Sequence, residues 1–78
     1  ERRKKLIRLV KQKAEDGKVA IRNVRRDSNE EIKMYEHEHE ISEDDAHRGL
    51  DKVQELTNKY SKLIDEVLKH KEVEIMEV

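Results

Sequence analysis

The stretch Ile41-Ser42-Glu43-Asp44-Asp45-Ala46 divides the chain into two long amphipathic runs. Ser42 suits the N-cap of a helix, because its side-chain oxygen accepts a hydrogen bond from one of the first free backbone N–H groups. The three acids after it sit where the positive end of the helix dipole favours them. Ile41 before the cap and Ala46 at the fourth helical position form a weak hydrophobic staple. A helix therefore starts at about Glu43, and the run before Ile41 is a separate element.

Upstream, Ile7, Val10, Ala14, Gly17, Ile21, Val24, Ser28 and Tyr35 recur at steps of three and four until the last. This heptad seam predicts a helix from Glu1 to about Glu38. Leu6, Leu9 and Ala20 lie beside it and widen the apolar arc to about 160°. Downstream, Ala46, Leu50, Val53, Leu56, Thr57, Tyr60, Leu63, Ile64, Val67, Leu68 and Ile75 repeat at helical spacing. The second helix is expected over about 43–76, with an elbow at about 39–42.

Helices of these lengths form rods of roughly 50 to 57 Å, and so short an elbow makes them antiparallel neighbours. The expected fold is all-α, a long antiparallel helical hairpin spanning residues 1–78. Gly17 on the seam is expected to permit close helix approach, and Tyr35 and Tyr60 are read as core. Both helices carry more apolar surface than one partner covers, so a third helix is expected from a longer parent protein or from self-association.

Composition agrees. Of 78 residues, 47% are charged, 33% hydrophobic and 3% aromatic, with two glycines and no proline; such a chain lacks the turn chemistry of a multi-stranded sheet. It has no cysteine, which excludes disulfides, thiol nucleophiles and thiolate metal sites. Apolar runs such as Val19-Ala20-Ile21 fall far short of the roughly 18 residues that cross a bilayer, so a soluble chain is expected. It opens on Glu1 rather than Met, which favours a piece of a longer protein.

The net charge of -1 hides a strong polarity. Residues 1–26 carry eleven Lys and Arg against three Asp and Glu, whereas residues 27–57 carry three against eleven. The first block therefore points to a polyanion, with nucleic acid the leading candidate. Lys4, Arg8, Lys11, Lys18, Arg22, Arg25, Arg26 and Lys33 follow the helical rhythm at roughly 120° from the seam. Glu15 alone breaks their sign, and Asn29 continues the line as a neutral hydrogen-bonding group. A solvated face would ordinarily mix signs as i,i+4 pairs.

Arg22, Arg25 and Arg26 mark the centre of this stripe, because arginine forks onto phosphate oxygens and stacks on bases in ways lysine does not. The candidate RNA-binding set is Arg8, Lys11, Lys18, Arg22, Arg25, Arg26 and Asn29. The deep major groove of A-form RNA keeps side chains from base edges, so backbone and shape contacts are expected. The other reading is a structural coiled-coil oligomerisation module whose basic face is merely solvated.

The remaining constellations are weaker. In His37-Glu38-His39-Glu40 the two histidines point to different sides of a helix, and no HExxH or cysteine partner accompanies them. A metal-dependent hydrolase centred on them is the least favoured reading, and no metal or other cofactor is expected. The acids around the elbow are read as capping and solubilising groups. His47 and His70 have no nucleophile beside them, so no catalytic site is visible.

The run Val19-Ala20-Ile21-Arg22-Asn23-Val24-Arg25-Arg26-Asp27 closely resembles the ribosome recycling factor family. Glu1-Arg2-Arg3-Lys4 ahead of it, Ile41-Ser42-Glu43-Asp44-Asp45 after it and the closing Lys71-Glu72-Val73-Glu74-Ile75-Met76-Glu77-Val78 resemble the same family in the same order. The resemblance implies a non-enzymatic translation factor of the bacterial cytoplasm or an organelle matrix. Together with elongation factor G and GTP, such factors separate the subunits of a ribosome left on messenger RNA after termination. It also implies an L-shaped protein, with a long three-helix bundle hinged to a small β-containing domain that faces the elongation factor. This chain corresponds to the second and third helices of that bundle. By position, Arg22, Arg25 and Arg26 match arginines that lie against large-subunit ribosomal RNA.

Overall fold

Two helices account for nearly the whole of the computed structural model, which describes residues 1–77; Val78, included in the domain on sequence grounds, lies outside the described residues. Helix α1 runs Arg2–His37 and helix α2 runs Glu43–Glu77. The helices lie side by side as an antiparallel hairpin measuring 57 × 15 × 9 Å between Cα extremes. The radius of gyration, 17.7 Å, far exceeds the roughly 11–12 Å of a compact domain of this length. The molecule is a flat rod one helix thick, the all-α hairpin that the periodicity implies.

Contact between the helices runs through small residues. A Cβ placed on Gly17 would stand 3.2 Å from Cδ1 of Ile64, and one placed on Gly49 would stand 3.2 Å from Cδ1 of Ile32. Each glycine thus admits an isoleucine from the opposite helix, and the two pairs fix one register, since 17 with 64 and 32 with 49 share the same sum. Ala46, at 1% exposure, and Thr57 are the buried residues among those described. The Thr57 hydroxyl donates to the Val53 carbonyl at 2.8 Å, so its burial strands no polar group.

The seam departs from the heptad reading towards the elbow. Val24 is 64% exposed and Tyr35 39% exposed, while Arg25, Ser28, Asn29, Ile32 and Glu36 are half-buried. A straight helix at 3.6 residues per turn drifts against a strict seven-residue repeat, so over 36 residues the buried line passes from Val24 and Tyr35 to Arg25 and Ile32. On α2, Tyr60 is half exposed rather than buried.

The elbow holds two caps. Ser42 caps α2, its Oγ accepting from the Asp45 backbone N–H at 3.0 Å. The Ser42 side chain, followed by Arg48, holds the Asp45 carboxyl below its ordinary range, and the Ser42 backbone lowers it further, which makes the cap reciprocal. Helix α1 ends in a Schellman arrangement: the His39 N–H donates to the Glu36 carbonyl at 3.0 Å and the Glu40 N–H to the Tyr35 carbonyl at 2.9 Å. His39 takes the left-handed conformation, φ 61°, that this motif usually assigns to glycine.

Two outcomes follow, both read from thermal unfolding at one fixed protein concentration. Ser42→Ala lowers stability by about 1 kcal/mol at neutral pH. The depressed Asp45 carboxyl stabilises the fold above its unfolded value of 3.8 and loses that contribution as pH falls through its lower folded value, so the gap between Ser42→Ala and the parent narrows in acid. His39→Gly raises stability by up to about 1 kcal/mol, the left-handed penalty less the entropy that glycine loses.

Candidate nucleic-acid interface

Helix α1 presents different chemistry on its two free flanks. Taking the Ala14–Ile32 line as the direction towards α2, Lys4, Arg22 and Lys33 lie about 80–100° to one side, and Arg8 and Arg26 about 120° to that side. Val24 and Ala20 lie about 80–120° to the other side. The basic stripe and the leftover apolar residues therefore occupy opposite faces of the flat hairpin.

The structure sorts the seven candidate residues into three environments. Arg8, Lys11, Arg22 and Arg26 are exposed on the basic face. Arg22 Nη2 reaches Glu15 Oε1 at 3.1 Å and Arg26 Nε lies 3.6 Å from Asp27 Oδ1, each pair joining side chains about half exposed or more. Such exposed pairs are worth little and yield readily to a phosphate. Lys18 differs. Its Nζ sits 2.5 Å from Oδ1 of Asp65 on α2, and only 27% of its side chain is exposed, so the structure commits this lysine to an interhelical tie.

Arg25 and Asn29 turn towards the seam and are half-buried. Arg25 contributes to the rim of an apolar groove that runs between the helices on the face opposite the stripe. Asn29 Oδ1 is enclosed with no hydrogen-bond partner. Of the three arginines read as the centre of the stripe, two project from the basic face beside exposed acids and the third borders both faces.

The groove is the feature that spacing on a single helix does not reveal. Its volume is about 740 Å³, and Val24, Leu56, Tyr60, Leu63 and Val67 line it. All five are 40% exposed or more. Lys13, which lies off the stripe, stands at its edge; its place about 100° from the seam on the apolar side is the sequence signal that separates it from the cations of the stripe.

The histidines are not gathered into a site. His37 closes α1 and His39 lies in the elbow. His47 pairs with Asp51 at 3.5 Å and His70 with Glu74 at 3.2 Å, each one turn along α2. Among the described residues no group of three or more His, Asp or Glu is placed to hold a metal ion. Among the described residues no helix is long and apolar enough to cross a membrane.

Comparison with known proteins places the arrangement. Residues 1–76 match the ribosome recycling factor family. The chain belongs to that family. It is 55% identical, over all 78 residues, to a ribosome-recycling factor of Halothermothrix orenii, and spans 42% of that protein. It is 57% identical over 75 residues, 96% of its length, to one from Natranaerobius thermophilus, covering 41% of that protein. A third from Desulforamulus reducens is 54% identical over the whole chain and 42% of its own length. The chain therefore spans about two fifths of these ribosome recycling factors, and the match takes in both helices and the elbow.

The tie between Lys18 and Asp65 is measurable. A double-mutant cycle with Lys18→Ala and Asp65→Ala gives a coupling of about 0.5–1 kcal/mol in thermal unfolding, while the more exposed Glu15 and Arg22 couple by less.

Proposed function

We propose that this chain is the ribosome-binding helical element of a recycling factor, and that its basic face grips large-subunit ribosomal RNA. The observation that carries the reading is the separation of Arg8, Lys11, Arg22 and Arg26 onto one exposed face of a family member whose opposite face is apolar. A rod held by many phosphate contacts is positioned without reading base sequence, which suits a factor that acts on every ribosome.

Stiffness is the second requirement. Two paired helices 57 Å long transmit a load applied at one end to contacts along their length. In the full protein, elongation factor G would apply that load through a hinged second domain, and the braced rod would part the subunits. GTP hydrolysis by the elongation factor supplies the energy; the helical element acts as a mechanical part and not as an enzyme. The site of action would be the bacterial cytoplasm or an organelle matrix.

Arg22→Ala and Arg26→Ala, each in a full-length recycling factor, are expected to weaken large-subunit binding while helix content stays unchanged. Each lowers the dependence of log affinity on log salt by up to about 0.9 for one neutralised phosphate. Co-sedimentation with large subunits across a salt series reads both quantities. Binding and slope that match the parent would remove RNA contact from these positions.

A further inference from the structure

We propose that α2 supplies the second half of the RNA-binding face, with Lys62 and Lys69 as its phosphate contacts, and that the two-helix face takes duplex RNA across its minor groove. The inference rests on the ribosomal reading of the α1 stripe and adds to it residues of the other helix and the form of RNA bound.

The interhelical tie fixes which side of α2 shares the basic face. Asp65 meets Lys18 across the seam, so the flank of α2 that carries Asp65 stands beside the stripe. Taking Thr57 as the direction towards α1, Asp65 lies about 80° to that side, Lys69 about 120° and Lys62 about 140°. Every other lysine and arginine of α2 is engaged: Arg48 pairs with Asp45, Lys52 with Glu55 and Lys71 with Glu74, and Lys59 lies over the Tyr60 ring. Lys62 and Lys69 are exposed and join no ion pair among the described residues. Of the acids on their side, Asp65 ties Lys18, Asp51 holds His47 and Glu72 is half-buried. Residues that meet across the seam sum to 81, which sets Lys69 level with residue 12 and Lys62 level with residue 19. The two lysines therefore flank the Arg8, Lys11 and Arg22 row from the opposite edge.

Towards the elbow the α2 side of this face turns neutral. Asn58 and Gln54 stand level with residues 23 and 27, opposite Arg22 and Arg26. Gln54 Nε2 donates to Asn58 Oδ1 at 2.9 Å, and both side chains are exposed. That bond leaves Asn58 Nδ2 to donate and Gln54 Oε1 to accept. A ribose 2′-hydroxyl does both, and the wide, shallow minor groove of A-form RNA displays it between two phosphate strands. Cations along both edges and amides opposite arginines match such a surface. Single-stranded RNA is held on aromatic platforms instead. This face offers none among the described residues: the chain has no Phe or Trp, Tyr60 lines the groove, and Tyr35 lies about 60° to the groove side of α1.

Two measurements on a full-length recycling factor test the proposal. In co-sedimentation with large subunits, Lys62→Ala and Lys69→Ala each weaken binding roughly fivefold to tenfold at 0.1 M salt and lower the salt dependence by up to about 0.9, with thermal stability unchanged. Lys52→Ala, off this face and paired with Glu55, matches the parent. In fluorescence anisotropy, an RNA duplex of about 16 base pairs binds more tightly than the DNA duplex of the same sequence or either RNA strand alone. Asn58→Ala narrows the ratio of RNA to DNA affinity by roughly threefold. Losses at Arg22→Ala and Arg26→Ala, with Lys62→Ala and Lys69→Ala matching Lys52→Ala, confine the RNA face to α1 and overturn the proposal while the ribosomal reading stands. Parent-like binding in all four removes that reading and the proposal with it. Equal affinity for the two duplexes, or tighter binding of a single strand, overturns the assignment to the duplex minor groove.

Discussion

The close approach of α1 and α2 through Gly17 and Gly49 is the constraint on which the rest of the molecule depends. Each glycine removes the side chain that would hold the helices apart, and Ile64 and Ile32 occupy the space. With Ala46 and Thr57 buried in the same line, the contact is narrow. A narrow contact between two helices uses only one strip of each, so two broad faces are left over. The flatness of the hairpin, 9 Å in its thinnest direction, is the direct result.

Those two faces are chemically opposed. One carries exposed arginines whose nearest acids, Glu15 and Asp27, are themselves exposed and compete weakly with a polyanion. The other carries valine, leucine and tyrosine around a groove that water covers poorly. A two-helix unit with so little buried surface gains much by closing the apolar side, and closing it leaves the basic side available. The arrangement separates the face that holds the fold together from the face proposed to bind an anionic surface. Lys18 shows where they meet: a member of the basic stripe by spacing, it is tied across the seam to Asp65.

Both helices, the elbow and the Ser42 cap were legible from residue spacing because each rests on local physics: apolar periodicity, a hydroxyl before three acids, and absence of proline. The inner seam near the elbow was less so. A heptad count selects Val24 and Tyr35, but the accumulated phase drift of a straight helix brings Arg25 and Ile32 inward instead. The Lys18 tie and the register of Gly49 against Ile32 depend on which residues of α2 stand opposite, information that one helix's pattern does not contain. The cap at His39 is hidden for a similar reason: a left-handed cap signals itself in sequence through glycine, and here a histidine occupies it. The exposed part of the basic stripe, Arg8, Lys11, Arg22 and Arg26, follows directly from spacing, since a charged face needs only its own helix, whereas Lys18, Arg25 and Asn29 are drawn towards α2.

On the reading proposed above, the arginine-bearing face, and not the grooved face, meets ribosomal RNA. The most direct test is site-specific photocrosslinking in a full-length recycling factor bound to large subunits, with the probe placed in turn at Lys33 on the basic face and at Leu63 in the groove. Ribosomal RNA adducts are expected from position 33 and none from position 63. Adducts confined to position 63, with position 33 silent, would contradict it.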